Sequence, residues 1–156
     1  MLKVGQSAPT FDLPDCDMNV VSLHGYRGVN NVVLYFYPKD DTPGCTLEAI
    51  DFSDLQDEFL NFDTVVLGVS MDDCMSHGAF RDKHGLAVQL LADAEGEVCE
   101  RYGVLQNKEV DGKVTKRCIV RSTFVIDRNG ALRHILHGVS ARGHASAVLN
   151  LVKELK

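Results

Sequence analysis

Asn31-Val-Val-Leu-Tyr-Phe-Tyr-Pro-Lys-Asp-Asp-Thr-Pro-Gly-Cys45 is the stretch that decides how this chain folds. From Asn31 to Tyr37 the run is apolar, β-branched or aromatic without alternation, which predicts a strand covered on both faces in a parallel or mixed central sheet. Pro38 ends the run and a short polar loop follows. Thr42 suits a helix N-cap, where its hydroxyl can accept from a free first-turn N–H, and Pro43 suits the first helical position. Cys45 then falls in the first turn, beside backbone N–H groups that lack intrahelical partners and at the positive end of the helix dipole. Both favour a thiolate, so the sequence predicts a reactive cysteine, ionised below the ordinary thiol value of about 8.5.

The helix so begun is predicted over 43–59, because Ala49, Phe52, Leu55, Phe59 and Phe62 recur at spacings of three and four. A second buried strand follows over 64–70 (TVVLGVS), then a helix over 74–84 stopped by Gly85 and a third apolar strand over 87–92. A short helix over 95–102 ends at Gly103. The segments 104–109 and 113–126 flank Asp111-Gly112, a strong hairpin turn signal, and 122–127 is the core part of the second arm. A turn at Asn129-Gly130 leads to a strand over 131–137, and a last helix covers 142–155. Ahead of all this, Phe11 and Leu13 suit a short edge strand and residues 20–23 another. Alternating strands and helices closed by an antiparallel pair predict an α/β fold, a central mixed β-sheet flanked by helices, in one domain over 1–156.

Composition narrows the function classes. A formal net charge of −6, from 16 basic and 22 acidic residues, argues against nucleic acid or an anionic membrane surface as partner. No apolar stretch approaches the roughly 18 residues of a membrane span, and the first residues lack a signal-peptide pattern, so a cytoplasmic protein is expected. The five cysteines, at 16, 45, 74, 99 and 118, are odd in number and widely spread, without Cys-x-x-Cys. That is no structural disulfide framework and no paired zinc site. Cys74-x-x-His77 and His134-x-x-His137 each lack further partners at useful spacing, so no metal is expected.

Residues Pro38 to Glu48 resemble the active-site segment of the peroxiredoxins, nearest to the bacterioferritin comigratory protein or peroxiredoxin Q subgroup. Gly5-x-x-Ala8-Pro9-x-Phe11-x-Leu13-Pro14, Val69-Ser70 with Ser76-His77-x-x-Phe80, Tyr102-Gly103-Val104 and Arg121 to Asp127 resemble later landmarks of the same family, so the likeness runs over nearly the whole chain. The resemblance implies a thioredoxin-like fold and a thiol peroxidase that reduces hydrogen peroxide and small organic hydroperoxides. It gives Cys45 the role of peroxidatic cysteine, which becomes a sulfenic acid. Thr42 would hydrogen-bond the peroxide, Pro38 shield the site from water, and Arg121 hold the thiolate and polarise the substrate. Glu48 would orient the polar groups. No cofactor is implied, the reductant would be thioredoxin or another thiol, and a monomer or weak homodimer is expected.

The chain departs from the family pattern at the second step. Ile50 and Arg81 stand where relatives carry a resolving cysteine, which leaves Cys74 as the nearest substitute and a one-cysteine cycle as the alternative. A peroxide sensor using the same cysteine is the rival reading. A cysteine phosphatase is disfavoured, because its Cys-x5-Arg would need an arginine where Asp51 stands.

Overall fold

The computed structural model describes residues 2–155, with the backbone alone for 108–110 and 114–116. Five strands make the central sheet: β3 (Asn31–Phe36), β4 (Thr64–Ser70), β5 (Gln89–Ala92), β8 (Ser122–Ile126) and β9 (Leu132–His137), in the order β5-β4-β3-β8-β9. β3, β4 and β5 run parallel, while β8 is antiparallel to β3 and β9 to β8, so the sheet is mixed as expected. β1 (Asp12–Pro14) pairs with β2 (Val20–Ser22) as a small hairpin, and β6 (Leu105–Val110) with β7 (Lys113–Ile119) as another. Asp111 and Gly112 take positive φ at the tip of the second hairpin, the conformation that its two-residue turn demands.

β3 shows why its sequence does not alternate. Val32, Leu34 and Phe36 face one hydrophobic core, and Val33, Tyr35 and Tyr37 face the other. On the second side lie α1 (Pro43–Asp54), α2 (Gln56–Asn61), α3 (Cys74–His84) and α5 (His144–Lys153), with Phe52, Phe59, Phe80 and Val148 as their core residues. The first side is covered by the entry segment and by α4 (Glu97–Arg101), through Phe11, Leu23, Val98 and Cys99, with Tyr102 following. A strand closed in on both faces has no solvent side to make polar.

Two expectations need correction. The helix predicted over 43–59 is two helices, broken at Leu55, whose ψ of 3° leaves the helical range. The apolar spacing survives the break because Phe52 and Phe59 both reach the same core. Ser53, just before the break, accepts from the backbone N–H groups of Ala87 and Val88, so the end of α1 is tied to the approach of β5. The second correction concerns the arm predicted over 113–126. β7 ends at Ile119 and β8 begins at Ser122, in a different sheet. Two residues are left at that crossing, Val120 and Arg121.

Candidate active site

The carboxyl ends of β3, β4 and β5 lie on one edge of the sheet, and loops leaving such an edge form a crevice. Because β8 runs antiparallel to β3, its beginning lies at that edge too: Phe36, the last residue of β3, pairs with Ser122, the first of β8. The loop that carries Cys45 and the crossing that carries Arg121 therefore meet, although 76 residues separate them.

Cys45 is the third residue of α1 and is 2% exposed. Arg121 Nη2 donates to its Sγ at 3.4 Å, and Nη1 of the same guanidinium donates to Glu48 Oε1 at 2.6 Å. One planar fork thus spans the sulfur and the carboxylate, a geometry that a point charge such as lysine does not reproduce. Gly44 makes room for it, since a Cβ there would lie 3.0 Å from Arg121 Nη2.

Glu48 is fully buried, and its Oε2 lacks a hydrogen-bond partner. Burial pushes its carboxyl up to about 7, opposed by the Arg121 guanidinium. Tyr35 feels the charge of Glu48, and the buried Tyr35 hydroxyl also lacks a partner. Burial and the nearby acidic charge of Glu48 hold that phenol neutral, well above its ordinary range. His144 donates to or accepts from Thr123 Oγ1 at 2.7 Å and is held below the ordinary imidazole value, first by burial and then by the charge of Arg121.

Thr42 occupies the N-cap with extended backbone, as expected, but its side chain does not cap. The hydroxyl donates instead to the Lys39 carbonyl at 2.9 Å, which closes the loop on itself. Pro38 leaves β3 at an exposed position. Cys74 opens α3, and burial together with Asp73 and Asp15 raises its thiol. Cys99 is sealed in the opposite core and raised far more, chiefly by burial. Cys16 lies in the β1–β2 turn, where Arg81 Nη1 donates to its sulfur at 3.0 Å. Arg81 thus serves Cys16 and Asp17, not the Cys45 loop.

A buried polar cluster beside the loop escaped the sequence reading. Asp40 accepts from Tyr37 Oη at 2.6 Å and from Ser76 Oγ at 2.8 Å, and its Oδ2 lies 2.7 Å from His77 Nδ1. The Asp40 backbone N–H donates to Asp72 Oδ2, which also accepts from Ser70 Oγ. His77 Nε2 lies 2.9 Å from the Leu91 carbonyl. Asp40, Asp72 and His77 bring three ligand-type atoms within 4.8 Å of one another, but the three are bonded to each other and to their neighbours. The only sequence signal was the pairing of a loop aspartate with the Ser76-His77 step, too ordinary to single out.

The chain is similar to known proteins over nearly its whole length. The AhpC/TSA family matches residues 4–135. The peroxiredoxin Bcp of Bacillus subtilis is 40% identical over 154 residues, covering 99% of this chain and 97% of the relative. The peroxiredoxin Bcp of Escherichia coli is 40% identical over 153 residues, covering 98% and 97%. Among solved structures, the bacterioferritin comigratory protein of Xanthomonas campestris, described for its alkyl peroxide reduction activity, superposes with a TM-score of 0.87 at 36% identity, covering 92% of this chain and 90% of that one. The fold is thus thioredoxin-like, and the chain belongs to the AhpC/TSA family as a peroxiredoxin of the Bcp and PrxQ group, a thiol-dependent peroxidase.

Proposed function

We propose that Cys45 is the peroxidatic thiol, and the observation that carries this reading is the Arg121 fork joining its sulfur to Glu48. The thiolate attacks the terminal oxygen of a hydroperoxide, the S–O bond forms as the O–O bond breaks, and the departing oxygen leaves as water or an alcohol. The proton first lost by the thiol is regained on that leaving oxygen, so Cys45 ends as a sulfenic acid. Arg121 supplies positive charge where the sulfur and the peroxide oxygens carry negative charge, which is stabilisation of the oxyanion-hole kind. The first-turn N–H groups of α1 add to it. Thr42 and Pro38 border the approach to the sulfur, and the Thr42 hydroxyl exchanges the Lys39 carbonyl for a peroxide oxygen when substrate enters.

A second thiol then condenses with the sulfenic acid, releasing water. Cys74 is the candidate within the chain, since α3, which it opens, packs on the Cys45 loop through Asp40 and Asp41. Thioredoxin is the reductant that completes the cycle, and hydrogen peroxide and small organic hydroperoxides are the substrates. The setting is the cytoplasm. Among the described residues no helix is long and apolar enough to cross a membrane.

The test is Cys45→Ser, assayed for peroxide consumption with a thioredoxin system. Activity should vanish while the circular dichroism spectrum is unchanged, and retained turnover would overturn the assignment. Peptide mapping after one equivalent of peroxide decides the second step. A Cys45–Cys74 disulfide supports the two-cysteine route, and a bare sulfenic acid at Cys45 refutes it.

A further inference from the structure

The sulfur that must react twice is shut away. At 2% exposure a small peroxide can reach Cys45 through a minor opening, but a sulfenic acid formed there is out of reach of a protein thiol until the loop over 38–45 leaves its seat. What resists that departure decides the balance between the two half-reactions.

Two sets of contacts join the loop to α3. The outer set joins Asp41 to Lys83 Nζ at 2.7 Å and to His84 Nε2 at 2.8 Å, with Asp41 and Lys83 exposed and His84 half-buried. Such surface pairs contribute little. The inner set is the buried cluster around Asp40. His77 Nε2 faces a carbonyl, which can only accept, so that nitrogen carries a proton. Nδ1 of the same ring lies 2.7 Å from Asp40 Oδ2, a short hydrogen bond between two ionisable groups sealed inside the protein. With the hydroxyls of Tyr37 and Ser76 also donating, both oxygens of Asp40 are satisfied. A buried pair of this kind is costly to break, because either partner alone is left buried and unpaired.

We propose that Asp40 and His77 are positioning residues that latch the Cys45 loop. Closed, the latch keeps the sulfur beside Arg121 for attack on peroxide; open, it admits the second thiol. The proposal rests on Cys45 being the peroxidatic residue. It assigns Asp40 a role distinct from any contact with substrate.

Asp40→Asn removes the charge while keeping the shape. Rapid quenching and mass spectrometry of the peptide that carries Cys45 read two rates separately: sulfenic acid formation by hydrogen peroxide, and capture of the preformed sulfenic acid by reduced thioredoxin. With the latch weakened, formation should slow and capture should quicken, each by about tenfold, the size set by one buried hydrogen bond. His77→Asn, which keeps a donor near the place of Nδ1, should shift both rates the same way but by less than His77→Ala. Tyr37→Phe, a milder change that keeps the core packed, should shift both the same way by a few-fold. Both rates falling together, or neither moving, overturns the latch. Peroxide consumed while the Cys45 peptide stays reduced overturns the assignment of Cys45 beneath it.

Discussion

Replacing Glu48 with glutamine measures what this site costs the fold. The carboxyl is buried and its proton affinity rises on folding, from an ordinary 4.5 to about 7. Between those values the native state binds more protons than the unfolded chain, so stability falls as pH rises. The contribution is intact below pH 4.5 and the penalty is complete above about 7. With each tenfold change in proton affinity worth about 1.4 kcal/mol, the penalty comes to about 3 kcal/mol. Arg121 has already reduced it, since its charge opposes the burial. The assay is urea unfolding followed by circular dichroism, extrapolated linearly to water, at pH 5 and pH 8. Other groups titrate over that range, so the informative quantity is the gap between the two proteins. At pH 5 Glu48 is neutral like glutamine and the gap should be small. At pH 8 the glutamine variant should be more stable by about 3 kcal/mol, and slower as a peroxidase. An equal gap at both pH values would refute the reasoning.

Arg121→Lys keeps the charge but cannot hold Cys45 and Glu48 with one fork, so kcat/KM for hydrogen peroxide should fall on the order of 10- to 100-fold, and by more in Arg121→Ala. A lysine variant retaining half the native value would show that charge alone suffices. Gly68→Ala places a Cβ 2.6 Å from Tyr35 Cζ, and the Tyr35 ring cannot retreat because it stacks on Phe52 at 4.6 Å. The overpacking should cost about 2 kcal/mol and lower Tm by about 4–8 °C in a thermal scan.

How much of this was legible in the sequence depended on whether the cause was local. The unbroken apolar run of β3 and the Thr42-Pro43 start of α1 were readable, because burial on two faces and the first turn of a helix act over a few residues. The break at Leu55 was not. A periodic apolar stripe continues across it, and the contacts that tie the end of α1 to the approach of β5, through Ser53, come from far along the chain. Nor was the crossing at Arg121 visible, since β7 and β8 read as one extended arm and only sheet assignment separates them. Cys45 announced itself by its helix position and Arg121 by family likeness, but the Asp40–His77 pair joins residues 37 apart and left no local mark. Thr42 stood where expected while its hydroxyl turned to Lys39, because the loop had its own carbonyl to satisfy.

The pairing of Phe36 with Ser122 works as a ruler. A slip by one residue would turn every side chain of β8 to the opposite face, exchanging Val125 with Phe124 and Ile126 between cores. A slip by two would keep the faces but carry Arg121 about 7 Å along the strand, well beyond hydrogen-bond reach of the sulfur. The alternation that fills both cores thus also sets the spacing of Arg121 from Cys45. Substitutions deep in β3 or β8, far from any peroxide, bear on chemistry by loosening that measure.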